Sequence, residues 1–166
     1  GCSIEDYTGD PDGPMYCMEH AAARIAAAAE AAHRGPVHLV LTARAENHIR
    51  GNPDLDDTIA RLRAYGVAGA DVLYAPGLTR IEDIRRVVAE VGRPVNVLTV
   101  PGAPPVSELA AAGVARISTG GTLAMAAIDA VAQAARELLD EGTYGFLERA
   151  RGGSAIARQA FRHDAA

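Results

Sequence analysis

The chain has 166 residues, 49% of them hydrophobic and 22% charged, with a formal net charge of -5 and a pI near 5.5. That acidic balance lacks the basic face that phosphate-backbone binding requires, so nucleic acid is not expected as a partner. All 16 basic residues are arginine, and the absence of lysine excludes a Schiff-base aldolase and a Walker A loop, both of which need its amine.

In chain order, the first strand is expected over residues 2–5 and begins at once, with no cap, helix or polar leader before it. A turn-rich segment over 7–16 follows, carrying Gly9, Pro11, Gly13 and Pro14. Short β-branched runs then alternate with longer Ala/Leu/Arg stretches of helical period. They give a helix over 19–33, a strand over 37–43, a helix over 55–66, a strand over 71–75 and a helix over 81–91. A strand over 95–99, a helix over 106–112, a strand over 115–118 and a helix over 122–140 complete the pattern. One domain over 1–166 is expected, with 151–166, marked by Gly152 and Gly153, as a loose tail.

Such alternation is the mark of βα units around a parallel sheet. The segments AGADVLYAPG at 68–77 and AGVARISTG at 112–120 resemble each other, each placing a helix-ending glycine just before a strand. Five strands are too few to close an eight-stranded barrel of about 250 residues. On composition alone, a partial barrel and a flavodoxin-like sheet therefore stand level.

Parallel α/β folds gather their sites at the C-terminal ends of the strands, and those ends are polar here. Glu5 and Asp6 follow the first strand, Arg44 to His48 the second, Asn96 and Thr99 close the fourth, and Ser118 ends the fifth. The two carboxylates suit a hard cation such as magnesium, and equally a salt bridge to Arg44. The planar fork of Arg44 suits a carboxylate or phosphoryl group. The five histidines show no ligand spacing within one helix, so zinc is not expected; His48 reads as a surface loop residue. Gly120 and Gly121 before a helix serve either an anion or the turn itself.

The motifs GCSIED at 1–6, LTARAEN at 41–47, AGADVLYAPG at 68–77 and PVNVLT at 94–99, in that order and spacing, resemble the phosphoenolpyruvate mutase/isocitrate lyase superfamily. The likeness runs to Tyr144. It implies an α/β fold, a partial (β/α)8 TIM barrel whose five βα units correspond to strands four to eight, with a parallel sheet. It further implies Mg2+ or Mn2+ and a small α-keto or 2-hydroxy carboxylate substrate, whose C–C or P–C bond forms or breaks through a metal-stabilised enolate. By the same likeness Glu5 supports the metal, Arg44 contacts substrate in catalysis, and Asn96 and Thr99 bind substrate. Tyr7, Asp10, Asp12 and Tyr16 belong to a gating loop. A homo-oligomer is implied, its last helix, here including 143–150, packing on a neighbouring subunit.

Departures narrow the reading. The Lys-Lys-Cys-Gly-His motif of the lyase branch is absent from 7–20, so Cys17 is not assigned its acid/base role, and Ala75, Pro76 and Gly77 stand where lyases carry an acidic residue. The first three strands of the family pattern, with the aspartates closest to the metal, have no counterpart in this sequence. The 166-residue chain alone is therefore expected to show little activity and weak metal affinity; a non-catalytic remnant or carboxylate-binding, oligomerising module is the alternative. Neither a run of eighteen apolar residues nor a signal-peptide pattern is present, which leaves no membrane role and the cytoplasm as the expected location. Cys2 and Cys17 read as free thiols.

Overall fold

A computed structural model describes residues 1–161. Five strands, β1 (Cys2–Glu5), β2 (Leu41–Arg44), β3 (Val72–Tyr74), β4 (Val95–Leu98) and β5 (Arg116–Ser118), alternate with helices α1 (Met18–His33), α2 (Leu55–Val67), α3 (Ile81–Val91) and α4 (Val106–Ala111). Helices α5 (Thr122–Arg136) and α6 (Phe146–Ala160) follow. The strands form one sheet in the order β1-β2-β3-β4-β5, and every neighbouring pair is parallel. That order decides between the two folds composition left open. A flavodoxin-like sheet places its first strand between the second and third; strands laid side by side in chain order are an arc of a (β/α) barrel.

The two faces of the sheet agree with this. Leu41, Ala43, Leu73, Val95 and Val97 pack with Ile25 of α1, Leu62 of α2, Ile84 and Val87 of α3 and Leu109 of α4 in one core. On alternate positions the strands carry Thr42, Arg44, Asn96, Arg116 and Ser118. A doubly wound sheet is covered by helices on both faces and needs nearly continuous apolar strands. A polar second face belongs to the inner wall of a barrel.

The second strand begins later than its apolar run suggests. Val37, Leu39 and Val40 are 69%, 46% and 40% exposed. β1 starts with Cys2 opposite Leu41 and β3 with Val72 opposite Thr42, so most of 37–40 has no strand to lie against. The repeated glycine has a clear geometric role. Gly69, just past α2, has φ +108°, and a Cβ there would sit 2.8 Å from Ala29 Cβ on α1; Gly113, just past α4, has φ +84° and would meet Val88 of α3 at 3.1 Å. Each glycine lets a helix end lie against the preceding helix of the barrel wall.

The chain divides into two compact units, Gly1–Gly120 and a second beginning at Gly121. In the second, α5 runs into a π-helical turn, Glu137–Glu141, stopped by Gly142 at φ +65°. The Glu137 carboxylate accepts from Thr143 Oγ1 at 2.9 Å and from the N–H groups of Gly145 and Phe146, which satisfies the start of α6. Of residues 151–166, which composition reads as a loose tail, 151–160 are helical within α6, and 162–166 lie outside the described residues. Flanking arginines and alanines outweigh the helix cost of Gly152 and Gly153, about 1 kcal/mol each. No helix among the described residues is long and apolar enough to cross a membrane.

Candidate active site

The polar face of the sheet lines a cavity of about 620 Å3, with Ser3, Thr42, Arg44, Tyr74, Asn96, Arg116 and Ser118 among its walls. Register explains the gathering. Glu5 pairs with Arg44, Arg44 with Tyr74, Tyr74 with Asn96, and Asn96 with Arg116. Paired residues on adjacent strands point to the same side, so five residues far apart in sequence form one row.

Within the row the two arginines differ. Arg44 Nε donates to Glu46 Oε1 at 2.7 Å, its Nη2 lies 3.3 Å from Glu5 Oε2, and its guanidinium sits 5.2 Å from the Tyr74 ring. Burial, the largest single influence, pulls the Arg44 pKa down, but the bond to Glu46 and the charges of Glu46 and Glu5 together carry it above its ordinary value. Glu46, 1% exposed, is pushed upward by burial despite Arg44. Arg116 has neutral partners: Nε donates to Asn96 Oδ1 at 3.0 Å and Nη2 to Thr42 Oγ1 at 2.9 Å, with no ion pair among the described residues. Arg44 is charge-compensated; Arg116 is not.

The Asn96 amide, 2% exposed, accepts from Arg116 and donates to Ser118 Oγ at 3.0 Å. It braces Arg116, and Ser118 takes one of its two amide N–H groups. Thr99, beyond the end of β4, donates from its N–H and from Oγ1 to the Ser118 carbonyl and is not a cavity-lining residue. Arg116 is the residue the motif reading missed. Strand alternation carries the signal: Ile117 packs on the helical core, so Arg116 and Ser118 must face the other way.

Asp6 serves a different purpose from Glu5. It is 1% exposed; Oδ1 accepts the Glu46 N–H at 2.9 Å, and Oδ2 accepts Tyr65 Oη at 2.6 Å and Arg61 Nη1 at 3.1 Å. Arg61 Nη1 also donates to the Tyr16 carbonyl at 2.9 Å, and the Tyr16 N–H donates to the Asp6 carbonyl at 2.9 Å. Both ends of the expected gating loop are thus fastened at one place. Along the loop, the Tyr7 ring lies 3.6 Å from the Arg50 guanidinium, Asp10 Oδ1 accepts the Asp12 N–H in a local turn, and Tyr16 packs beneath Arg24. None of Tyr7, Asp10, Asp12 and Tyr16 lines the cavity.

Tyr65 gives a pH prediction. Burial first, and then the bond to Asp6, push its hydroxyl pKa far above the ordinary value near 10. The folded state therefore holds a proton that the unfolded state releases above about pH 10. Its contribution is complete below that pH and declines as pH rises, by up to about 1.4 kcal/mol per unit. Urea unfolding across the alkaline range is expected to show this slope in the parent and lose it in Tyr65→Phe.

The donor set tests for magnesium. A hard cation takes about six oxygens, and the row offers one carboxylate, Glu5, already beside Arg44. Asp6 and Glu46 are buried in other bonds. By themselves the residues present do not fit a magnesium ion. His48 stands apart from the cavity. It lines a separate pocket of about 300 Å3 with Leu55, Leu78 and Asp83, its pKa is lowered by burial, and its Nε2 is buried without a hydrogen-bond partner among the described residues.

Comparison with known proteins matches this arrangement to one family. The family described as phosphoenolpyruvate phosphomutase matches residues 1–139. An uncharacterised protein of Mycobacterium tuberculosis is 35% identical over 141 residues, which are 84% of this chain and 52% of that protein. Among solved structures, a protein of Burkholderia cenocepacia J2315 assigned provisionally as a lyase/mutase superposes with a TM-score of 0.90 at 49% identity, over 98% of this chain and 59% of that one. A 2,3-dimethylmalate lyase, a member of the PEP mutase/isocitrate lyase superfamily, gives a TM-score of 0.74 at 27% identity, over 86% of this chain and 51% of that one. The chain spans about half the length of the curated relatives it matches.

Proposed function

The chain belongs to the phosphoenolpyruvate phosphomutase family, and on that premise we propose that it serves an enzyme which forms or cleaves a C–C or P–C bond in a small α-keto or 2-hydroxy carboxylate through an enolate. One observation carries the reading: two guanidinium groups, Arg44 and Arg116, face a single cavity whose wall also holds the hydroxyl-bearing Ser3, Thr42 and Ser118, the amide of Asn96 and the phenol of Tyr74, beside Cys2 and Val40. Arg44 is the catalytic residue of the proposal. Held flat by Glu46 and Glu5, it presents its remaining donors to a carboxylate and to the charge that develops on the enolate oxygen. Arg116 draws in a second anionic group; Asn96 keeps it aimed. Thr99 ties the end of β4 to the Ser118 carbonyl beside the substrate, and the segment from Tyr7 to Tyr16, with Asp10 and Asp12 at its tip, gates the mouth.

In its family setting the reaction takes Mg2+ or Mn2+, with Glu5 lending one carboxylate to a ligand set that these residues do not complete. The proposal includes a homo-oligomer in the cytoplasm, supported by the exposed Leu123, Ile128, Val131 and Leu139 of the second unit. A second reading, a carboxylate-binding module without catalysis, is favoured by that same single-carboxylate donor set. The two differ in turnover of oxaloacetate, phosphonopyruvate or a 2-alkylmalate, which the first allows and the second forbids.

Calorimetric titration of oxalate, a planar enolate mimic, with and without Mg2+, tests the site itself. Binding is expected to weaken by about tenfold or more in Arg44→Met and again in Arg116→Met, as charged hydrogen bonds of about 1.5–3 kcal/mol are removed. Absence of oxalate binding by the parent, or affinity in both variants unchanged from the parent, would sink the proposal.

A further inference from the structure

At the opposite edge of the sheet from the strand C-terminal ends, three residues from three segments converge: His33 in the last turn of α1, His38 ahead of β2, and Asp71 ahead of β3. His33 Nε2 lies 2.9 Å from Asp71 Oδ2 and His38 Nε2 lies 3.1 Å from Asp71 Oδ1. We propose that this cluster is a binding site for a borderline transition-metal cation of the Zn2+ or Co2+ kind, separate from the cavity and from any magnesium chemistry there.

The geometry is close to what such an ion asks for. Ligands about 2.0–2.1 Å from a tetrahedral centre stand roughly 3.3 Å apart, and one candidate ligand atom from each of the three residues lies within 4.8 Å of the others. The carboxylate is already oriented, because Asp71 Oδ2 also accepts the Leu41 N–H at 2.7 Å. Such a bond to a ligand's own oxygen fixes its direction before the ion arrives.

The two imidazoles stack with centroids 4.1 Å apart and planes 14° from parallel, and each Nε2 donates its N–H to Asp71; to ligate, each ring carries its proton on Nδ1 instead, and one ring must turn so that the two Nε2 lone pairs converge. That ring is His38, with a side chain 55% exposed on a segment outside helix and strand. Two nitrogens and one oxygen select zinc, cobalt, nickel or copper over magnesium and calcium, and leave a fourth position for water. Spacing within one helix could not reveal the site, because its ligands come from the end of a helix, a connector and the start of a strand.

The test uses the full chain carrying Cys2→Ser and Cys17→Ser, since both thiols are exposed and free. Co2+ is titrated while visible d–d absorption is followed, and Zn2+ is titrated calorimetrically. One equivalent is expected to bind, with the intense absorption of tetrahedral cobalt. His38→Ala, at an exposed position, is expected to weaken both signals by at least about tenfold while leaving the melting temperature of the metal-free chain near that of the parent. His33→Gln, which keeps a polar partner for Asp71, is expected to do the same. Absence of binding up to millimolar metal, or binding in both variants as tight as in the parent, overturns the proposal.

Discussion

Asp6→Leu is expected to lower the unfolding free energy by roughly 3 kcal/mol, toward the lower end of the ~3–5 kcal/mol typical when one partner of a buried ion pair is removed. The change leaves the buried Tyr65 hydroxyl and the Glu46 N–H without their acceptor, and takes from Arg61 one of its two carboxylates. Asp57 still holds Arg61 Nε at 2.8 Å, which is why the loss falls short of the upper figure. Urea unfolding at neutral pH measures it, and the melting temperature is expected to fall by roughly 10 °C. A variant as stable as the parent would show that water reaches these groups.

Gly69→Val is expected to cost about 2–6 kcal/mol, the sum of a strained positive φ and overpacking, each about 1–3 kcal/mol. The backbone at φ +108° disfavours any side chain, and the new Cβ would stand 2.8 Å from Ala29 Cβ. Gly92→Ala separates the two causes. Its φ is +65° and nothing lies within 4 Å of the added carbon, so only the conformational cost, about 1–2 kcal/mol, remains. Chemical denaturation of both variants reads the difference directly. Equal losses would mean that the α1–α2 contact at Gly69 yields easily and that backbone strain alone decides.

Much of the architecture is legible in the sequence because period and punctuation agree. The limits of α3 over 81–91 and the glycines at 69 and 113 follow from apolar spacing and turn chemistry. The start of β2 does not, because Val37 to Val40 are as β-prone as the strand itself and only the length of the neighbouring strands determines where pairing begins. Strand order, which separates barrel from doubly wound sheet, depends on long-range pairing that composition does not encode. At the site, Glu5 and Arg44 announce themselves by position at strand ends, and the structure brings them to 3.3 Å. Arg116 sits at the first position of its strand, where a site is not sought, and reaches the cavity because a long side chain on the inner face extends across the sheet to Thr42. Asp6 looks like a ligand in sequence and is a structural acceptor in fact, since its partners Arg61 and Tyr65 lie 55 and 59 residues away.

The fastening of residue 6 to residue 16 bears on how such a chain can change over generations. Because Arg61 and Asp6 already hold the two ends of the loop together, the entropy of bringing them together is met by the barrel wall and not by the residues between. Lengthening the intervening segment to twice its size would then cost only about 0.6 kcal/mol, less than many single substitutions. The tip between Tyr7 and Tyr16 is accordingly free to drift in length and composition without disturbing the sheet beneath it.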